Sequence, residues 1–387
     1  MKLQHHVSGI SLLVFIHCLP ASVLASVGTS SSWQAKMKAL SQTMQELLPE
    51  LTAKKPDIGK IKREAKNLSV LAHSIHQSTS KNQASLPDRD PSVDIFSSMF
   101  EKETKRALES IEGGHVEYSR QVLRGVTGYC IACHTRNAQG PRFLRGGLTK
   151  RAASMEPIER AELFAATRQF DAALDEYKKL ISDGNYAKDH PMDWERGLRE
   201  AVAISVRVKK DPALSMEFIN RVKGLPNVPE FVSQYVSIWK ISTREWRNEP
   251  APVAITDEGL NLLAAKLLSD ARALQKYPVD HSGDILYLRA SAVAHDLLSR
   301  APNGPLASRA LLMEGMAYEV LNNPLVWPVH EMYYEACVRK SPHTEIAQEC
   351  YDRFESSVFF GYSGSGGTFI PPDIESTLEE LKGLSYP

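Results

Sequence analysis

Residues 116–134 carry the stretch VEYSRQVLRGVTGYCIACH, which sets both the local fold and its chemistry. Its apolar residues recur with the period of an amphipathic α-helix. On such a helix Cys130, Cys133 and His134 stand at positions i, i+3 and i+4, so all three project from one side. The stretch therefore predicts a helix whose last turn presents two thiols and an imidazole on one face.

The spacing Cys-x-x-Cys-His is the attachment motif for covalently bound haem. Two thiols form thioether bonds with the haem ring, and the histidine that follows binds the iron from one side. A thioredoxin-like thiol pair would need a strand–helix–strand context, which the sequence lacks. A zinc site would need further ligands, for which His115 is a lone candidate. The sequence predicts one haem c on Cys130 and Cys133, with His134 as an axial iron ligand.

Helical periodicity extends through almost the whole chain, and strand-type alternation is nearly absent, so an all-α fold is expected. Before the motif, three further amphipathic patterns occupy residues 37–51, 58–75 and 96–111. Gly113-Gly114 ends the third pattern, and mostly short connections join the segments. Four helices in so short a region favour an antiparallel four-helix bundle over residues 26–150.

The second half, residues 151–387, has the pattern of stacked helical hairpins. Its first unit reads PIERAELFAATRQFDAALDEYKKLI over residues 157–181, with small residues where two helices approach closely and aromatic residues between them. This order resembles the tetratricopeptide repeat, although that family's opening tryptophan is missing. Stretches 197–219, 285–321 and 332–354 have suitable lengths but fewer matching residues. The resemblance implies a helical repeat domain with a concave surface for docking proteins.

The first 25 residues have the features of a secretory signal peptide. A weakly basic start precedes a mostly apolar stretch at residues 10–23, and Val23-Leu24-Ala25 suits a cleavage site. The apolar stretch is too short and too interrupted to span a membrane, and no later stretch is long enough. We therefore expect an exported, periplasmic chain that is soluble after cleavage and has no transmembrane segment.

Export bears on the cysteines, because unpaired thiols are unusual in an oxidising compartment. Cys18 would leave with the signal peptide and the haem motif uses two more, which leaves Cys337 and Cys350. Both lie in one predicted hairpin, at similar distances from its turn at Ser341-Pro342-His343-Thr344. Antiparallel helices can bring them side by side, so a disulfide is expected. The alternative is a pair of small buried core residues.

Charge is balanced overall but uneven along the chain. The net charge is zero, which favours neither nucleic acid nor a membrane surface as a partner. Residues 26–150 hold 19 basic and 12 acidic residues, whereas residues 151–387 hold 26 and 34. This asymmetry would suit a basic first half that meets an acidic partner, two halves that dock on each other, or two solvated surfaces.

A four-helix bundle with the haem motif late in its last helix resembles the cytochrome c-prime family and its low-spin relatives. The resemblance covers about residues 30–137 and includes the first-helix string MKALSQTM, which runs from Met37 to Met44. The low-spin relatives use a first-helix methionine as an axial ligand, which implies Met37 as the second iron ligand and Met44 near the haem. Two alternatives remain: an open iron site, as in the high-spin members, or a second imidazole from His73 or His76.

The chain departs from that family in two respects. The family follows the motif with an aromatic–arginine pair, whereas Thr135-Arg136-Asn137 follows here. Arg136 is then either a partner for a haem propionate or a solvated surface residue. The family also ends soon after the motif, whereas this chain continues to Pro387. These departures leave the exact subfamily and the axial ligation open.

These features predict an electron carrier, since a haem held in a helical bundle can exchange one electron without binding a substrate. The repeat domain would dock a redox or scaffold protein partner. A gas-binding or redox-sensing scaffold is the alternative if the iron site is open. A haem peroxidase fits less well, because the chain has one haem motif and no identifiable acid–base residue. A scaffold with a structural haem is a further interpretation.

Overall fold

A computed structural model of the chain describes residues 21–80, 90, 92–138, 142, 148–250, 255–278, 280–321 and 329–386. Within these ranges the chain forms 17 α-helices and two short strands, each of two residues. The expected all-α fold is therefore confirmed. None of the described helices has both the length and the apolar character that crossing a bilayer requires. Residues 1–20 of the predicted signal peptide, with Cys18, lie outside the described residues, as do Gly140-Pro141 and Gly146-Gly147.

Four long helices lead up to and include the Cys-x-x-Cys-His motif. They are α1 (Ala21–Thr52), α2 (Ile58–Ser80), α3 (Ser92–Glu112) and α4 (Val116–His134). Each packs against the next, and α1 also contacts α4. The predicted apolar faces are largely buried, whereas Ile58 and Tyr118 are exposed because each lies in the first turn of its helix.

A glycine ends α3, as the sequence predicts. Gly114 has a φ of 87°, a left-handed conformation that glycine adopts without strain. His115 N then donates to Ser110 O at 2.8 Å, which satisfies a carbonyl at the end of the helix. This tight ending lets α4 begin at Val116 and pack against α3.

Thirteen further helices occupy the described residues after 148. They are α5 (Lys150–Ala153), α6 (Pro157–Ala166), α7 (Phe170–Ile181), α8 (Gly184–Asp189), α9 (Pro191–Ala203), α10 (Pro212–Val222), α11 (Glu230–Asn248), α12 (Asp257–Leu274), α13 (Asp284–Arg300), α14 (Ala307–Leu321), α15 (Val329–Lys340), α16 (Glu345–Tyr362) and α17 (Pro372–Ser385). A π-helical segment, Ile204–Val208, extends α9, and a 3-10 turn, His281–Gly283, precedes α13. Strands β1 (Ser363–Gly364) and β2 (Gly367–Thr368) pair antiparallel between α16 and α17.

The stretch that resembles a tetratricopeptide repeat forms α6 and α7, which pack against each other. Ala161, Ala173 and Tyr177 are fully buried, as small and aromatic residues in such a contact should be. Helices α12 to α17 then pack in chain order, each against the next. Packing between consecutive helices therefore dominates this part of the chain.

Two hydrophobic cores hold the helices together. The first combines residues of α1 to α4 with residues of α12 to α17. The second is built mainly by α6 to α11 and takes two residues from α13. Phe96 of α3 meets the ring of Tyr333 of α15 edge-on, with the ring centroids 5.6 Å apart. The C-terminal helices therefore pack directly on the helices that carry the motif.

Candidate functional site

Cys130, Cys133 and His134 lie in the C-terminal part of α4. The helix ends at His134, and Thr135 N closes it by donating to Ile131 O at 2.9 Å. Both cysteines are free thiols in the structure. The helical spacing thus holds two thiols and one imidazole on a common face.

The three motif side chains line a cleft, of about 80 Å³, that α4 shares with α1, α2 and α3. Met37 of α1 lines the same cleft, so the structure brings together all four residues predicted to hold a haem. The rest of the lining is almost wholly apolar and consists of Trp33, Leu40, Ile75, Val93, Phe96, Ser97, Phe100 and Tyr129. We call this site the motif cleft.

The donor groups of the motif cleft fit a haem c, whereas the volume of the cleft is too small for the haem ring. Two thiols, an imidazole and a thioether are the groups that attach and ligate haem in Met/His cytochromes. A space of about 80 Å³ is smaller than the roughly 150 Å³ cavity that binds a single benzene ring, and a porphyrin is far larger than benzene. Insertion of the ring would therefore have to widen the gap between α1 and α4.

The second half of the chain orients the imidazole of His134. Its Nδ1 lies 2.5 Å from Ala166 O at the end of α6, so Nδ1 carries the proton and Nε2 the lone pair. Burial is the largest influence and lowers the pKa of His134 to about 4, although the Ala166 carbonyl opposes it. The ring is therefore neutral at pH 7. A neutral imidazole held by a carbonyl is the form that ligates metals.

Arg168 holds the backbone on either side of the motif's end. Its Nη1 donates to His134 O at 2.9 Å and its Nη2 donates to Asn137 O at 3.1 Å. The residue itself has a left-handed φ of 60° in the turn between α6 and α7. Sequence reasoning missed Ala166 and Arg168, because a main-chain carbonyl has no residue-type signal and Arg168 stands 34 residues from His134.

The thiol of Cys130 is not poised for disulfide exchange. Burial, followed by the neighbouring Cys133, raises the pKa of the Cys130 thiol to about 12. A reactive dithiol needs a lowered pKa, because the thiolate is the nucleophile. The thioredoxin-like alternative therefore lacks the required electrostatics as well as the required fold.

Of the residues considered as second axial ligand, Met37 is the one that lines the motif cleft. Met44 is buried further along α1 and is not part of the lining. His73 is exposed, with its Nδ1 2.6 Å from Glu101 Oε1. His76 has its Nδ1 3.1 Å from Ser97 Oγ. Neither histidine contributes to the lining, so the cleft favours Met37 over a second imidazole.

Arg136 is buried, so the interpretation of it as a solvated surface residue is wrong. Its Nη1 donates to Asp90 Oδ2 at 2.6 Å and to Ser92 Oγ at 2.8 Å. The guanidinium lies 4.4 Å from the centre of the Phe96 ring. Burial acts to raise the pKa of Asp90, but Arg136 and His295 hold it well below its usual range. Arg136 thus anchors the end of the motif to the start of α3.

Comparison with known proteins leaves the site without a family. No family model, curated protein or solved structure was found to match the chain. The interpretation of the site therefore depends on the motif, the cleft and the contacts around them.

The zinc alternative loses its candidate ligand. His115 lies at the start of α4, roughly 28 Å from His134 along the axis at 1.5 Å per residue. Within the described residues, no group of three or more His, Cys, Asp and Glu is arranged to hold a metal ion. His115 is therefore too far from the two motif thiols to bind the same zinc ion.

Cys337 of α15 and Cys350 of α16 form a disulfide, with the sulfurs 2.00 Å apart and the Cα atoms 6.2 Å apart. Both residues are fully buried. The bond links the two helices on either side of the predicted turn. The disulfide joins the two cysteines that were predicted to pair because they lie at similar distances from the turn of the hairpin.

Proposed function

We propose that the chain is an exported monohaem c-type cytochrome that transfers electrons. Cys130 and Cys133 would form the thioether bonds, with His134 and Met37 as axial iron ligands. The observation that carries the proposal is the shared lining of the motif cleft, in which α1 presents Met37 to the thiols and imidazole of α4. The haem would supply one-electron exchange between ferric and ferrous iron.

The residues of the chain would tune and protect that centre. Met37 and His134 would together hold the iron, and ligation by a thioether and an imidazole would raise its reduction potential. The Ala166 carbonyl would keep the His134 ring in one tautomer and one orientation, which increases its basicity as a ligand. The apolar side chains of the cleft would limit the access of water. Together these groups suit an electron carrier better than an enzyme that must admit a substrate.

We further propose that residues 26–150 form a four-helix bundle and residues 151–387 a tetratricopeptide-like domain that docks a redox or scaffold protein. The packing of α1 to α4 in chain order, with α1 against α4, supports the bundle. The α6–α7 hairpin supports the repeats. Export to the periplasm is supported by the apolar N-terminal stretch and by the Cys337–Cys350 disulfide, which suits an oxidising compartment.

A pair of methionine variants tests the ligand assignment. The mature chain, residues 26–387, would be produced with c-type maturation machinery, and its oxidised and reduced visible spectra recorded. We expect a low-spin spectrum with the weak red band of a methionine–iron bond, and we expect Met37→Ala to lose that band. Met44→Ala is the matched control, because Met44 is buried on the same helix outside the cleft lining. It should retain the band.

Two results would count against this assignment. A high-spin spectrum that shifts when carbon monoxide is added would contradict the electron carrier and favour the gas-binding alternative. A low-spin spectrum that Met37→Ala leaves unchanged would exclude Met37 as the axial ligand.

A further inference from the structure

A second cavity lies on the other side of α4 from the motif thiols. It has a volume of about 100 Å³ and is lined by residues of α4, α9, α13, α14, α15 and the π-helical segment. Ile131 of α4 and Thr135, the residue that follows the helix, contribute to it, whereas Cys130 and Cys133 line the motif cleft. One helix therefore separates the two spaces, and we call this second space the rear cavity.

Three arginines line the rear cavity, Arg196, Arg199 and Arg207, and of these Arg207, in the π-helical segment, is the buried one. Only 3% of the residue is exposed. Its Nη1 donates to the hydroxyl of Tyr318, which also lines the cavity. Its Nε and Nη2 are buried and have no hydrogen-bond partner among the described residues. Because a buried N–H without an acceptor is destabilising, these two atoms indicate a missing acceptor.

The two atoms that lack partners are the pair that a carboxylate fits. Nε and Nη2 lie on one edge of the guanidinium, with nearly parallel N–H bonds. They can therefore donate to both oxygens of one carboxylate, in the bidentate arrangement typical of arginine. Nη1 is already occupied by Tyr318. The pattern of filled and unfilled donors thus selects a planar, two-oxygen acceptor.

The carboxylates of Asp284, Glu200 and Glu314 accept from other groups, although Glu314 Oε1 is buried without a hydrogen-bond partner and Glu314 interacts electrostatically with Arg207. Asp284 Oδ2 lies 3.3 Å from Arg199 Nε, and Glu200 accepts the hydroxyl of Tyr177. Glu314 accepts from Ser291 Oγ at 2.7 Å, and burial raises the pKa of its carboxyl. Among the described residues, none of these carboxylates forms an ion pair with Arg207. No described side chain accepts a hydrogen bond from Nε or Nη2, so both donors can serve a bound acceptor.

The remainder of the lining indicates the rest of the ligand. Leu288, Leu321 and Val329 line the cavity together with Ile131, so part of its wall is aliphatic. A volume of about 100 Å³ is smaller than the roughly 150 Å³ of an engineered cavity that binds benzene, which limits the ligand to a few heavy atoms. Arg196 and Arg199 also line the cavity, but they form ion pairs with Glu162 and Asp284. An aliphatic wall beside the guanidinium of Arg207 therefore suits a short carbon chain that ends in a carboxylate.

We propose that the rear cavity binds a short-chain monocarboxylate, with its carboxylate on the Nε–Nη2 edge of Arg207 and its aliphatic part against Ile131 and Leu288. This site is separate from the motif cleft, and the proposal does not depend on the presence of a haem. Bound there, the ligand would supply the acceptor that Arg207 lacks.

Calorimetric titration of the mature chain with sodium propionate tests the proposal, with phosphate and chloride titrated at matched ionic strength. We expect one propionate site and no site for the inorganic anions. Arg207→Lys keeps the charge but loses the paired donors, so its affinity for propionate should fall at least about tenfold. Arg289→Lys is the matched control, because Arg289 is buried and both of its Nη atoms already pair with Glu249. It should bind propionate as the unmodified chain does.

A second variant keeps the test decisive if Arg207→Lys fails to fold. Ala203 lines the rear cavity from α9, so Ala203→Leu should fill the space and abolish propionate binding without a change of charge. Absence of propionate binding in the unmodified chain would overturn the proposal, since water would then satisfy Arg207. Unchanged affinity in Arg207→Lys would overturn it as well. Binding of phosphate but not propionate would overturn the carboxylate assignment.

Discussion

The imidazole of His134 depends for its orientation on a main-chain carbonyl that belongs to another helical hairpin. The acceptor is Ala166 O, and Arg168 holds the backbone carbonyl of His134 from the same turn. Because the Ala166 contact is made by the backbone, a change of side chain at that position would not remove it. A shift of α6 relative to α4 would disturb it instead. The geometry of the proposed iron ligand is therefore coupled to the position of α6.

Acid should weaken the fold through His330, which stands in α15 away from the motif cleft. Burial lowers the pKa of His330 to about 4, and its Nε2 lies 2.7 Å from Ser357 Oγ. In the unfolded chain the same histidine binds a proton near pH 6.5. The stability that neutral His330 contributes to the fold is therefore complete above that pH and is lost as the pH falls toward 4. From pH 7 to pH 5, the unmodified chain should lose about 1–2 kcal/mol more than His330→Gln.

Urea unfolding of both proteins at the two pH values measures this difference. Glu331, whose pKa is raised to about 7 by burial, titrates in the same range but in both proteins. Comparison of the two proteins therefore removes the part of the Glu331 titration that they share, although Ser357 Oγ contacts both His330 and Glu331. Equal losses of stability in the two proteins would contradict the prediction.

Helices α14 and α15 approach each other closely at Gly315. A Cβ atom at Gly315 would overlap the ring of Tyr334, which is fully buried. We therefore expect Gly315→Ala to lower the free energy of unfolding by about 2–3 kcal/mol, since the overpacked ring must move. Thermal and urea denaturation would measure the loss.

Gly383 of α17 provides a control at which substitution by alanine should stabilise the fold instead of destabilising it. A Cβ atom there would meet nothing within 4 Å. Because alanine has the higher helix propensity, Gly383→Ala should raise the free energy of unfolding by up to about 1 kcal/mol. The same response at both positions would show that packing at Gly315 is not the cause.

Local sequence patterns predict the elements well and their long-range contacts poorly. The periodicity of residues 37–51, 58–75, 96–111 and 116–134 predicts the four first helices, because an amphipathic face is a local property. The Phe96–Tyr333 contact and the burial of Arg136 arise from segments far apart in the chain. No local pattern specifies which helical faces meet. Met37 was reached through a family resemblance, and Ala166 and Arg168 were not predicted.

Across the whole molecule, the first hydrophobic core joins the helices of the motif cleft to the C-terminal helices. We therefore expect a fragment of residues 26–150 to be less stable than the full mature chain, because it would expose the surface that α15 covers. Circular dichroism melts of the haem-free fragment and the haem-free full chain would measure the difference. The fragment should melt at a lower temperature. An equal melting temperature would instead support an independent domain that ends near residue 150.

The central claim is that a haem is covalently attached at the motif of α4. Its most direct test is the intact mass of the mature chain produced with c-type maturation machinery, followed by peptide mapping. We expect a mass increase of one haem, located on the peptide that contains Cys130 and Cys133, and its loss when both are changed to alanine. A chain of unmodified mass, or a haem that leaves the chain in denaturant, would contradict the account.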